Sequence, residues 1–312
     1  MEILLYILAG ALLFGVIVMT VVVPSIVTTK VFVRTSKKKW HYNCQEPGDK
    51  EQAELYEEAT QWADRYAANR RPVEITSDGY HLYGEYYDFG ASKAALVIAG
   101  RTEACRYSCY FAEAYRRAGY NVLTIDNRCH GSSDGVVISL GIREYRDILC
   151  WLRLLHEELK NESIVCHGIC IGSATALYAL TNEACPDYVR ALVADGMYVH
   201  FGESFRNHLT ERKKPVFPCY QVCMALVGLR AGRNPRKFGP QNVMHKMTRP
   251  VLFLHGREDI YSVPEKAEVL YDLCPAKKKL VWFDKGRHSF LRYHAKDKYD
   301  QTIIDFLSEL DG

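Results

Sequence analysis

The chain opens on an apolar run, Ile3 to Val27, that carries no charged residue. As a helix, such a run is long enough to cross a hydrocarbon layer about 30 Å thick. A cleaved signal peptide starts with a basic region, has a shorter apolar core and ends in a small-residue cleavage site. Here only Met1 and Glu2 precede the run, so the pattern predicts a transmembrane anchor over residues 1–29. A basic juxtamembrane segment and an amphipathic helix are expected over 30–72. Leu55, Ala59, Trp62 and Tyr66 recur there at helical spacing among acidic and amide residues, and Arg70, Arg71 and Pro72 end the pattern.

From Val73 the periodicity changes. Val73 to Phe89 predicts two strands joined at Asp78 and Gly79. Short apolar runs predict strands at Ala94–Ala99, Asn121–Ile125, Ser163–Cys166, Arg190–Ala194, Val251–Leu254 and Lys279–Phe283. Helical patterns fall between and after them, at Arg106–Ala118, Ile142–Leu159, Ile171–Thr181, Pro264–Leu273 and about His294–Leu310. Strands alternating with helices imply right-handed crossovers and a mainly parallel, doubly wound sheet covered on both faces. This is an α/β domain over 73–312, with ligands expected beyond the carboxyl ends of its strands. Met197 to Arg249 is too long for a plain connection and predicts a helical cap, about 197–249, over those ends.

Composition narrows the function. The 312 residues are 48% hydrophobic and 25% charged, which suits one large domain beyond the anchor. A net charge of +3, with no basic stripe interleaved with aromatics and no zinc-ligand spacing, argues against nucleic acid and against a metal, and no cofactor motif is present. Lys30, Arg34, Lys37, Lys38 and Lys39 follow the apolar run with no acidic residue before Glu46, so the positive-inside rule puts the large domain that follows in the cytoplasm. An odd count of 11 cysteines in a large domain also suits a reducing compartment. From Tyr198 to Arg249 the cap carries ten Lys and Arg against Glu203 and Glu211. That excess fits a solvated surface, attraction to an anionic cytoplasmic leaflet, or an acidic substrate. The apolar stretch Val222 to Leu229 would line an acyl pocket or pack on the core.

The chemistry centres on Gly168-Ile169-Cys170-Ile171-Gly172, set between a strand and a helix. This is the context of a nucleophile elbow, whose sharp turn requires small flanking residues, here Gly168 and Gly172. Such an elbow needs an acid and then a histidine downstream, each past the end of a strand. Asp259 follows VLFLHG, and His288 follows KLVWF. Plainer readings stand beside these. A cysteine is often a small buried apolar residue, and Asp259 could sit in a loop before a helix capped by Ser262 with Glu265. Asp195, past another strand, is the reserve acid. His130 is read as mainly structural and His167 as facing the sheet, while Cys129 and Cys166 are near Cys170 in sequence only.

With IDNRCHGSSDG (Ile125–Gly135), HGICIGSA (His167–Ala174), LFLHGREDIYSVP (Leu252–Pro264) and GRHSF (Gly286–Phe290), the chain from Val73 onward resembles the α/β-hydrolase superfamily. It looks like the bacterial membrane-anchored members related to serine aminopeptidases and monoacylglycerol lipases. The resemblance implies an α/β-hydrolase fold with a cap and the triad order Cys170, Asp259, His288. It departs from the family at the nucleophile, usually Ser, and after the third strand, where Ala99 and Gly100 replace the usual His-Gly. Cys170 would attack an acyl carbon, His288 would carry its proton and Asp259 would orient the imidazole. Backbone amides of Ile171 and Arg101 would meet the oxyanion.

A helix amino terminus and a nearby imidazolium both favour thiolate at such an elbow. Thiolate is expelled from a tetrahedral adduct more readily than an amine, so esters, lactones and thioesters make easier substrates than amides. The expected activity is therefore hydrolysis of such a small-molecule acyl substrate, with a hydrophobic acyl part, through an acyl-thioester. Acyl transfer to an amine or alcohol is the first alternative. A catalytically silent, membrane-tethered binding module is the second.

Overall fold

A computed structural model describes residues 1–311 and forms one eight-stranded sheet in the order β1-β2-β4-β3-β5-β6-β7-β8. The strands are β1 Arg70–Ser77, β2 Tyr80–Tyr87, β3 Lys93–Ile98, β4 Asn121–Ile125, β5 Ser163–Ile169, β6 Val189–Asp195, β7 Val251–Gly256 and β8 Lys278–Phe283. β1, β2 and β4 pair antiparallel, and every other neighbouring pair is parallel. β1 and β2 meet at Asp78 and Gly79, both with positive φ (49° and 80°), the twist that a two-residue hairpin needs.

Period-two alternation on the central strands builds two core layers. Leu96, Ile98, Ile164 and Cys166 face one side, against the helices Tyr145–Arg153 and Ile171–Leu180. Ala95, Val97, Val165 and Ile169 face the other, against Lys50–Arg65, Ala112–Arg117 and Lys296–Asp311. In chain order the main helices are α1 Glu2–Phe32, α2 Lys50–Arg65, α3 Ala112–Arg117, α4 Tyr145–Arg153, α5 Ile171–Leu180, α6 Phe201–Glu211, α7 Cys219–Ala231, α8 Pro264–Leu273 and α9 Lys296–Asp311.

Several boundaries differ from the sequence reading. Arg70 to Pro72 do not end a helix but begin β1, because α2 stops at Arg65 and β1 lies at the sheet edge, where a proline costs no ladder bond. The pattern from Arg106 to Ala118 breaks at a 3₁₀ turn over Cys109–Phe111, and that beyond Arg153 continues as a π turn, Leu154–Glu158. α8 has no capping box: its N-cap is Val263, without a side-chain bond, and the Ser262 hydroxyl is buried without a partner.

α1 also runs past the expected end of the anchor. Its 31 residues have a mean hydropathy of 2.6, so it is long and apolar enough to cross a membrane. Residues 2–17 are exposed, but Pro24 and Phe32 are buried. Phe32 makes edge contacts with Phe201 and Phe205 of α6, ring centroids 5.7 and 5.5 Å away. The Cys223 thiol of α7 bonds to the Pro24 carbonyl at 3.5 Å. Lys39 folds back on the carbonyls of Thr29, Lys30 and Val33, placing a cation on the free acceptors at the end of α1. The cap, α6 with α7, is thus sewn to the end of the apolar helix, a contact that no local pattern announces. Phe32→Ala should destabilise the domain by about 3 kcal/mol, as an emptied aromatic site does. Phe14→Ala, 70% exposed, should leave denaturant unfolding in detergent within about 0.5 kcal/mol of the parent.

Candidate active site

The turn between β5 and α5 carries Cys170 at φ 55° and ψ −113°, outside the regions that an L-residue ordinarily occupies. Its two flanking glycines are sterically compelled. A Cβ on Gly172 would lie 2.1 Å from the Ile98 carbonyl oxygen, and one on Gly168 would lie 2.3 Å from the Ser173 nitrogen. The turn is pinned by the Cys170 amide donating to the Asp195 carbonyl at 2.9 Å and by the Ser173 hydroxyl donating to the carbonyls of Gly168 and Asp195, 2.5 and 3.1 Å away.

His288 and Asp259, distant in sequence, meet over the strand ends. His288 Nδ1 donates to Asp259 Oδ2 at 2.7 Å, while Asp259 Oδ1 accepts the amides of Tyr261 and Ser262 at 2.9 and 2.8 Å. Burial alone would raise the Asp259 carboxyl, but the charge and hydrogen bond of His288 outweigh it and hold the group below the usual carboxylate value. Burial likewise opposes charge on His288, yet the Asp259 carboxylate and the Cys170 sulfur hold the imidazolium well above its ordinary 6.5. His288 Nε2 is buried with no hydrogen-bond partner. It borders the same cavity as Cys170.

That cavity measures about 160 Å³. Gly100 and Arg101 from the loop after β3 close one side, and Phe201, Phe205, His208 and Arg212 of the cap close another. An ideal Cβ on Gly100 would lie 3.7 Å from the Cys170 Cβ, so this loop abuts the elbow, as an amide at Arg101 would need in order to meet an oxyanion. The Arg101 carbonyl is tied to His130 Nε2, whose Nδ1 faces the Arg128 carbonyl at 2.8 Å. Burial lowers the pKa of His130, so the ring serves as a bracket for the loop.

Asp195, the reserve acid, is turned elsewhere. Its Oδ2 accepts from the Tyr299 hydroxyl at 2.7 Å, and that hydroxyl also lies 3.1 Å from His167 Nε2. Cys166 belongs to the opposite core layer, and Val222–Leu229 packs through Cys223, Met224 and Val227 without reaching the cavity. Of the two readings of that stretch, packing on the core is the one the structure bears out, and the acyl-pocket alternative is corrected. A helix with its apolar stripe against α1 has none left for a ligand. The sequence reading also missed Gln52, Glu103, His208, Arg212 and Tyr261, all around the cavity. Only the charged Arg-Thr-Glu stretch after an apolar strand, Arg101 to Glu103, was a signal to follow.

A family model described as "alpha/beta hydrolase fold" matches residues 96–213. An esterase of Pyrococcus furiosus superposes with a TM-score of 0.69 at 22% identity, over 80% of this chain and 94% of its own. The fold is that of the α/β-hydrolases. Within it, an esterase of Exiguobacterium antarcticum superposes with a TM-score of 0.57 at 17% identity, over 76% of this chain and 99% of its own. In sequence the chain is similar to the uncharacterized protein YqkD of Bacillus subtilis, 28% identical over 74% of this chain and 77% of that one.

The buried Asp195 beneath this site gives the fold a pH signature. Burial raises its carboxyl from 3.8 to about 7, offset in part by the Tyr299 hydrogen bond. The folded state therefore holds a proton that the unfolded chain releases near pH 4, and stability falls as pH rises from about 4 to 7. Asp195→Asn should remove that decline. Between pH 5 and 7.5 its unfolding free energy should fall by roughly 2 kcal/mol less than the parent's in chemical denaturation.

Proposed function

We propose that the chain is a membrane-anchored hydrolase that cleaves an ester, lactone or thioester through Cys170, His288 and Asp259. The observation that carries this reading is the shared cavity. A cysteine held at a strained elbow and a histidine whose imidazolium the cysteine sulfur favours border it together, and an aspartate 2.7 Å from Nδ1 fixes the tautomer. Attack by the thiolate forms a tetrahedral adduct whose oxyanion meets the backbone amides of Ile171 and Arg101. Collapse expels the leaving group with the proton of the imidazolium and leaves an acyl-thioester on Cys170. The neutral imidazole then takes a proton from water, which attacks the thioester, and Cys170 departs as thiolate beside the re-formed imidazolium as the acid is released. A cavity near the size of one that accommodates benzene favours a short acyl group over a fatty chain.

An iodoacetamide probe on the full-length protein in detergent should alkylate Cys170 ahead of Cys44 and Cys150, the other partly exposed thiols. His288→Ala should slow that alkylation at least tenfold, and Asp259→Asn should cut turnover of a short-chain thioester roughly 10³-fold with little change in KM. Labelling of several cysteines at one common rate would defeat the proposal.

We further propose that α1 spans the bilayer with the hydrolase domain on the cytoplasmic side. The basic residues that follow α1 and the odd count of 11 cysteines support this orientation. Protease added to sealed cells should leave the domain intact, and its digestion would reverse the assignment.

A further inference from the structure

Around the cavity, the cations differ in what they are paired with. Arg212 pairs with Glu46 at 3.3 Å, and Arg287 pairs with Asp49 and Glu51 at 2.5 and 3.1 Å. Arg101 has no carboxylate within ion-pairing distance among the described residues. Its guanidinium makes one hydrogen bond, from Nη1 to the Val31 carbonyl at the end of α1, 3.1 Å away. That bond steers the side chain without neutralising it and leaves the rest of the planar fork for another acceptor.

We infer that Arg101 is an anion receptor in the substrate pocket, and that the substrate carries a carboxylate or phosphate a few atoms from the carbonyl that Cys170 attacks. This rests on the proposed hydrolase reading and adds the substrate's charge to it. The lining carboxylates do not fill the role. Glu46 is engaged by Arg212, and Glu103 is held by the Gln52 amide at 2.7 Å and the Thr102 hydroxyl at 3.1 Å. Burial raises Glu103 to about 7, so it is only partly charged at neutral pH. Burial also depresses the Arg101 guanidinium below its ordinary value, with the Cys170 sulfur acting against the depression. His208, across the cavity on α6, is pushed down to about 4 by burial together with the charges of Arg101 and Arg212. Cys170, Glu46 and Glu103 act on the Arg101 guanidinium through space, but none forms an ion pair with it. A desolvated guanidinium without an ion-pair partner binds a planar anion in two hydrogen bonds where the geometry allows. Gly100 abuts Cys170, which puts the next residue, Arg101, beside the elbow and within reach of an anion a few atoms from the attacked carbonyl.

The test uses the full-length protein and two alkylating agents that differ in charge, iodoacetate and iodoacetamide. Relative to free cysteine, the ratio of iodoacetate to iodoacetamide rates at Cys170 should be raised about tenfold or more, the scale of one charge-assisted contact. Arg101→Met should return the ratio to that of free cysteine, and Arg101→Lys should keep part of it. An elevated ratio that survives in Arg101→Met would assign the attraction to the His288 imidazolium and overturn the inference. A ratio equal to that of free cysteine in the parent would overturn it as well, while leaving the nucleophile standing. No reaction at Cys170 with either agent would instead defeat the hydrolase reading on which the inference rests.

Substrates then locate the anion. The glutaryl and pentanoyl thioesters of N-acetylcysteamine differ only by a carboxylate on the acyl side. The pentanoyl thioesters of mercaptosuccinate and N-acetylcysteamine place the charge on the leaving group. In one of these pairs kcat/KM should favour the anionic member about tenfold in the parent, and the preference should vanish in Arg101→Met. Equal or better turnover of the neutral member in both pairs would overturn the inference.

Discussion

The site depends on one close crossing, where the start of α5 passes over the end of β3. Gly172 approaches the Ile98 carbonyl so closely that no side chain fits between them. That absence lets the helix begin directly after Cys170 and lifts the residue to a positive φ above the sheet. A conformation of this kind costs on the order of 1–3 kcal/mol and persists only where its surroundings over-determine it. Here the Ser173 hydroxyl and the Asp195 carbonyl supply the determination. The gain is a partly exposed cysteine at the carboxyl ends of the strands, where β7 and β8 deliver Asp259 and His288 in their following loops.

A second constraint joins the apolar helix to this centre. α1 does not end at a loose linker. Its final turns lie in the aromatic seam of the cap, its carbonyls are capped by Lys39, and the Val31 carbonyl holds the Arg101 side chain. Arg101 is also the residue whose carbonyl His130 brackets. The loop proposed to receive the oxyanion is therefore held from one side by the domain and from the other by the end of α1. With the exposed, apolar part of α1 ending near residue 22, a bilayer around it would lie beside the cap.

Much of this was legible in order along the chain, because the determinants were local. Alternating apolar strands and amphipathic helices announced the parallel sheet, and Gly168 with Gly172 announced the elbow. Asp259 and His288 were recognisable by falling after strands in the required order. Other features were legible only in part. Asp195 and Asp259 both follow strands, and nothing in their neighbourhoods separates them. It is the side-chain direction at the end of β6, toward Tyr299 of α9, that turns Asp195 away from the imidazole. The apolar stretch in α7 could equally well have lined a ligand pocket, since a hydrophobic stripe carries no mark of what covers it.

The sequence by itself determined the doubly wound sheet, the membrane-length apolar helix and the presence of a cysteine where a glycine-flanked turn follows a strand. These follow from hydropathy period and backbone sterics, which act over a few residues. Only the tertiary structure decided which carboxylate meets His288, that the apolar helix closes over the cap, and that Arg101 faces the cavity without an ion-pair partner. Each of these is a contact between segments tens to hundreds of residues apart. Such contacts are set by how three packed layers share a limited set of partners, and a pairing taken by one residue is denied to another.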